Sequence, residues 1–287
     1  MSTPQIPTPQ AAPTWQPAPG TPAYTSPIPV VRTHLGHALA SEWTKMRSVR
    51  STMWTLGVFV LLVVGIGLTV GALIAAHASR EDLAGSSALP YGLFGVLLGI
   101  MCVITLGVLT TASEYGTGMI RTTTVACPAR GRVLTAKAIV LFAVVFTVTL
   151  VSTGLVSLAL TGLLADADEA TGGEWFKATV GVSFYVALLG LFSMLVGSVI
   201  RHSAGAITIM IGLVLAPLVI ALFMVTESLQ SVREFLFDYS IPTQLGVFYT
   251  TSIGENGPSG WDPLWIALGA TAVAFAGAWA LLEKRDV

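Results

Sequence analysis

The stretch SEYGTGMIRTTTVACPARGRVLTAK, residues 113–137, decides the fold. It carries Arg121, Arg130, Arg132 and Lys137, four of the chain's 14 basic residues, and long apolar runs without charge flank it on both sides. A basic loop between two runs of spanning length belongs on the cytoplasmic side of a membrane, where Lys- and Arg-rich loops are retained. It is also long enough to form a short helix that a cytosolic partner can grip.

The same pattern repeats outward along the chain. Of 287 residues, 54% are hydrophobic and 10% charged, and the mean hydropathy is +0.79. Soluble domains carry roughly a quarter charged residues. Six apolar segments come near the roughly 20 residues that cross a bilayer: 53–76, 93–112, 138–164, 179–200, 206–226 and 264–282. None contains Asp, Glu, Lys, Arg or His. The expected fold is therefore an all-α integral membrane protein with six transmembrane helices.

Charge sorting gives the orientation. With the N-terminus inside, Arg32, Lys45, Arg47, Arg50, Arg121, Arg130, Arg132, Lys137, Arg201, Lys284 and Arg285 are cytoplasmic, whereas Arg80, Lys177 and Arg233 are outside. Both termini are then cytoplasmic, and the plasma membrane is the expected location. The net charge of -1 forms no basic face for nucleic acid. Trp54, Trp175, Trp265 and Trp279 fall near the proposed interfaces, which suits an indole with an apolar ring and a wet N–H. Pro217 should bend the fifth span. Gly67 and Gly71, like Gly95 and Gly99, form GxxxG pairs, which either mark helix contacts or arise by chance.

Three regions precede and interrupt the spans. Residues 1–32 form a proline-rich cytoplasmic tail: nine of the 15 prolines and no charge fall in the first 31 positions. That density opposes helix and favours a disordered, partly polyproline-II chain, either passive or bound in an aromatic groove. Residues 33–52 read as an amphipathic interfacial helix with Thr33 as N-cap, an apolar arc through Leu39, Trp43 and Met46, and Lys45 and Arg47 beside it. Glu42 falls inside that apolar arc, which suits a local ion pair or a contact with a partner. Ser51 and Thr52 should turn the chain into the membrane, leaving 53–287 as the six-helix domain. Between the fifth and sixth spans, Leu229, Val232, Phe235 and Leu236 have helical spacing, and one or two interfacial helices are expected there.

Within residues 113–124, a helix with Ser113 as N-cap places Glu114 near its positive end. Tyr115 and Met119, spaced i,i+4, would fill an apolar groove on a partner. The alternative is an ordinary loop, basic only to set topology.

Glu114, Tyr115, Gly118, Ile120 and Arg121, followed by Pro128, Arg130 and Lys137, resemble the loop after the second span of ABC-2 type permeases, the membrane subunits of ABC exporters. The EWTKMRS segment at 42–48 and the six-span layout share the resemblance, and the composition is similar to that of actinobacterial members. Met119 stands where the family often has Thr, and the Gly-Thr pair falls earlier, at Gly116 and Thr117. The resemblance implies a permease subunit that moves a hydrophobic or amphipathic substrate. It would pair with a second permease subunit and be driven by a cytosolic ABC ATPase that carries the ATP and magnesium. The ATPase-coupling residues would be Glu114, Tyr115, Gly118, Met119, Arg121, Glu42, Lys45 and Arg47, and Phe235 and Tyr249 would belong to an outer gate.

No chemistry of the chain's own is expected. There is no GxxxxGK[ST] phosphate loop, no HExxH and no zinc spacing, and Glu42 and Glu114 read as lone carboxylates. No enzyme activity, cofactor or metal is expected, and Cys102 and Cys127 make no disulfide framework. The uncharged spans disfavour an ion-coupled carrier. The remaining rival is a membrane scaffold or sensor that recruits a cytosolic protein without transport.

Overall fold

The computed structural model describes residues 34–83, 85–127, 129–249 and 257–284. The proline-rich tail and the expected cap Thr33 lie outside the described residues, as does Pro128. In chain order the helices are α1 (Leu35–Ser48), α2 (Arg50–His77), α3 (Arg80–Leu83), α4 (Leu93–Gly116), α5 (Met119–Ala126), α6 (Arg130–Leu163), α7 (Gly172–Phe176), α8 (Val182–Ile200), α9 (Ser203–Phe223), α10 (Gln230–Asp238), α11 (Ile241–Gly246) and α12 (Asp262–Lys284). A 3-10 turn, Leu89–Gly92, leads into α4. A widened π-type turn, Lys177–Gly181, joins α7 to α8 without a break.

Among the described residues the protein is all-α, with six helices long and apolar enough to cross a membrane: Arg50–His77, Leu89–Gly116, Arg130–Leu163, Gly172–Ile200, Ser203–Phe223 and Asp262–Leu282. Each runs past the uncharged segment expected from the sequence at one end or both, because hydrogen bonding continues into the polar flanks where propensity permits. Pro217 lies within α9, which is a single helix from Ser203 to Phe223.

α4 and α8 form the centre, and α2, α9 and α12 are the outer spans. Small residues permit the central contact. A Cβ on Gly107 would collide with the Gly190 carbonyl oxygen, and one on Gly197 would stand 3.0 Å from the Val108 oxygen. Both GxxxG pairs are contact faces. Gly95 meets the Val63 backbone and Gly99 meets Phe59, while Gly67 and Gly71 receive Val156 and Leu160 of α6. Outward-facing residues such as Leu222, Phe223, Val273 and Trp265 are largely exposed, as befits a surface solvated by lipid.

The two ends of the bundle differ. One carries α1, α5, the start of α6 and the ends of α8 and α12. There the Arg130 guanidinium donates to the Leu282 carbonyl at 2.9 Å, and Trp279 packs over Gly131. The other end carries α3, α7, α10 and α11, with an exposed Arg80–Asp166 pair at 3.3 Å and a bridge between Ser87 and Asp168.

Two local expectations are corrected. The chain turns at Val49, which ends α1 and precedes α2 in extended backbone. Ser51 and Thr52 are therefore in the first turn of the span, not in a linker. Ser113 caps nothing: its hydroxyl bonds back to the Leu109 carbonyl at 2.5 Å inside α4. The apolar run of α4 carries the helix straight through Ser113 to Gly116, and the short helix beyond begins only at Met119.

Candidate functional site

Four charged side chains from three helices converge at the end carrying α1. Lys137, in the second turn of α6, donates to Glu114 Oε1 of α4 at 2.6 Å and to Glu42 Oε2 of α1 at 2.9 Å. Its third reach, 3.4 Å, is to the Thr110 carbonyl. Lys45 of α1 donates to Glu42 Oε1 at 2.8 Å and to Glu114 Oε1 at 3.0 Å. The side chains of Lys137, Glu42 and Glu114 are 4%, 5% and 3% exposed, and that of Lys45 27%.

The local structure explains why these charges are paired. Glu114 stands in the last turn of α4, so the negative end of the helix opposes its carboxylate. The expected placement near a positive helix end is therefore reversed, and two ammonium groups offset the repulsion. Glu42 is buried because it shares with Ala38, Leu39, Lys45 and Met46 the face of α1 turned onto α6 and α2, whereas Trp43, expected in the same arc, is 54% exposed. Burial alone would lower the Lys45 pKa, but the bonds and charges of Glu42 and then Glu114 outweigh it and hold the ammonium above its usual 10.5.

The cluster is neutral in total and in each of its halves. Glu42 and Lys45 balance within α1, and Glu114 and Lys137 balance between α4 and α6. Docking of α1 adds the crossed pairs. Glu114 Oε2 is buried without a hydrogen-bond partner.

The other expected coupling residues are spread over different environments. Tyr115 is half-buried, with the Arg201 guanidinium 4.9 Å from its ring centroid. Arg201 ends α8 in the left-handed conformation, φ 59°. Tyr115 thus faces α8, and its i,i+4 register with Met119 is broken by Gly118, whose φ of 72° reverses the chain between α4 and α5. α5 turns Ile120 and Thr123 inward and exposes Met119, Arg121, Thr122 and Val125, the last at 83%. Arg47 is exposed on the outer side of α1. Between α1 and α5 lies a groove of about 430 Å³ lined by His37, Ser41, Lys45, Met119 and Thr122.

Hence the structure gathers Glu42, Lys45 and Glu114 into one buried site. It leaves Met119, Arg121 and Arg47 on the surface. Lys137 was read as a topology marker and as part of the family resemblance but not as a site residue, yet it holds the cluster together. The available signal was a Lys on the flank of an uncharged span, with two unexplained carboxylates at the same end.

At the opposite end, Phe235 on α10 is 59% exposed and stacks on Tyr239 at 4.7 Å. Tyr249 is buried beyond α11. Among the described residues no group of three His, Cys, Asp or Glu side chains is placed to hold a metal. His34 and His37 stack on each other at 3.8 Å. No protein-family model matches the chain, and no curated protein sequence matches it either.

Proposed function

We propose that this chain is the membrane subunit of an exporter driven by a separate cytosolic ATPase, with the α1/α5 end facing the cytoplasm of the plasma membrane. α5 and the outer side of α1 are the docking surface, and Met119, Arg121, Thr122 and Val125 are the residues presented to the ATPase. Movement of that surface passes through Glu42, Lys45, Glu114 and Lys137 to α4 and α6, and so to the packed centre of the bundle. Two such subunits pair to enclose a pathway for a hydrophobic or amphipathic substrate, and the chain itself performs no covalent chemistry.

The observation that carries this reading is the combination at one end. An exposed short helix with an apolar-and-basic face follows α4 after a two-residue break, and a buried charge cluster ties α4 to α1 and α6. Exposed apolar side chains at the tip of a basic loop need a partner, and buried ion pairs transmit displacement because breaking one is costly.

Co-purification with an ATPase encoded beside this chain tests the reading. Val125→Asp should abolish the complex and the coupled hydrolysis, and Arg121→Ala should weaken both. Intact complexes in both variants would sink it. A Val125→Cys chain, with Cys102 and Cys127 replaced by alanine, should react with an impermeant thiol reagent only after the cytoplasmic side is opened. Labelling from outside would reverse the orientation and remove the docking surface.

A further inference from the structure

A cleft of about 120 Å³ opens on the side of the bundle between α8, α9, α11 and α12. α9 and α12 both pack on α8, and the cleft lies between them. Its rim is exposed: Leu213 of α9 is 46% exposed and Ile266 of α12 39%, and Ala270 is exposed beside them. Its floor is buried and partly polar, formed by Tyr185, Gln244 and Thr271. The lining from α8, α9 and α12 belongs to spanning helices, so the rim faces lipid rather than water. No Asp, Glu, Lys, Arg or His lines the cleft.

The floor has hydrogen-bonding capacity that the protein leaves unused. The Gln244 amide donates one N–H to the Tyr239 carbonyl at 2.8 Å, which fixes the amide because a carbonyl only accepts. Its second N–H has no acceptor among the described residues. The Tyr185 hydroxyl stands 3.4 Å from Gln244 Oε1, far beyond the usual O–H···O distance of about 2.7 Å. It is therefore free to turn, and its lone pairs are unengaged. The Phe248 ring, 5.8 Å from that of Tyr185, holds the phenol in place. Thr271, by contrast, already donates to the Ala267 carbonyl at 2.7 Å.

These features select the ligand. A charged group would stay uncompensated in an uncharged cleft. A plain hydrocarbon would leave the buried Gln244 N–H unpaired. A hydroxyl accepts from Gln244 and donates to Tyr185 Oη, so it satisfies both. The volume is well below the roughly 300–1,000 Å³ that encloses a whole drug-sized molecule. Only one end of the ligand is held, and the rest leaves between α9 and α12.

We propose that this cleft binds the hydroxyl end of an uncharged long-chain alcohol, whose hydrocarbon runs out between α9 and α12 among the lipid tails. The site needs neither an ATPase nor transport, so it stands or falls separately from the exporter reading.

The test uses the full chain in lipid nanodiscs and a hexadecanol carrying a photoactivatable diazirine. Label should fall on α8 and α12, about tenfold more from the alcohol than from the chain-matched alkane. Chain-matched carboxylate and trimethylammonium probes should label no better than the alkane. Tyr185→Phe keeps the ring and should lower the advantage of the alcohol, and Gln244→Leu should erase it.

Gln244→Leu also removes the bond to Tyr239, so Ala270→Phe on the exposed rim gives an arm that spares the fold. It should exclude alcohol and alkane alike while thermal unfolding stays that of the parent. Equal labelling of the parent by alcohol and alkane would overturn the proposal, and so would stronger labelling by either charged probe. Undiminished labelling of Ala270→Phe would place the alcohol elsewhere and overturn it as well. Ala270→Cys chains that cross-link to each other would show a second copy closing the mouth of the cleft, which leaves no exit for the hydrocarbon and sinks the idea.

Discussion

Both ends of this bundle hold carboxylates, and they handle them in opposite ways. At the end with α3, α7 and the start of α12, three carboxylates sit at helix starts and are exposed. Asp82 accepts from the Ser79 N–H and hydroxyl at 2.9 and 2.7 Å. Glu174 forms a reciprocal capping box with Thr171, and Asp262 accepts from the Ser259 N–H at 3.1 Å. Each satisfies an orphan donor locally and complements the positive end of its helix. At the other end, Glu114 sits at a helix finish, is buried, and depends on lysines from two other helices. The first arrangement can be lost one helix at a time. The second ties α1, α4 and α6 into one unit, so this is the end where a force on one element reaches the others.

The largest expected effect breaks that dependence. Glu114→Leu alone leaves Lys137 and Lys45 facing only Glu42, and should cost about 3–5 kcal/mol, as removal of one partner of a buried pair does. Glu114→Leu with Lys137→Met removes a self-neutral pair and leaves Glu42 and Lys45 to balance each other. The double variant should recover most of the loss in thermal unfolding from detergent. A double variant as unstable as the sum of the singles would show that the four charges act as one indivisible set rather than as two exchangeable pairs.

The helix-packed middle gives the scale for this effect. Gly107→Ala should cost about 1–3 kcal/mol, because the added methyl meets the Gly190 carbonyl of α8 rather than a side chain that can swing away. Equal stability of parent and variant would mean that α4 and α8 separate freely, and the cluster would then have no rigid core to act on.

How far the sequence foretold each part follows from the range of the signal. Spans were legible because an uncharged run near 20 residues has one stable solution in lipid. The contact faces at Gly67–Gly71 and Gly95–Gly99 were legible as a spacing. Gly107 and Gly190 were not, since an isolated glycine marks a close approach only once its partner is known. Glu42 was visible as an anomaly in an apolar arc, and Glu114 as part of a motif. Their meeting at Lys137, 95 and 23 positions away, is tertiary information that no periodicity carries. The helix start at Ser113 was misplaced because a good N-cap residue was read locally, while α4 had enough apolar contact with α8 to continue through it.

A smaller effect tests the water-exposed end. Thr171→Ala removes half of the capping box and should weaken the first turn of α7 by about 1 kcal/mol. Amide exchange should rise over residues 172–176 and stay unchanged in α1. A rise that spread to α1 would contradict the view that the two ends are energetically separate.

The smallest effect is a pH dependence confined to the clustered end. The folded Lys45 pKa lies above its ordinary 10.5 because Glu42 and Glu114 favour the charged form. A group raised in this way contributes its full stability below 10.5, the unfolded value, and loses it as pH rises through the folded value. As pH rises above 10.5, the unfolded value, α1 should therefore lose exchange protection more steeply than in the Lys45→Gln chain, which has no ammonium to neutralise. α7 carries no such pair, and its protection should change only by the intrinsic exchange rate over the same interval. Parallel behaviour of parent and Lys45→Gln chains in α1 would mean that Lys45 contributes nothing to docking, leaving Lys137 alone to hold α1 against the spans.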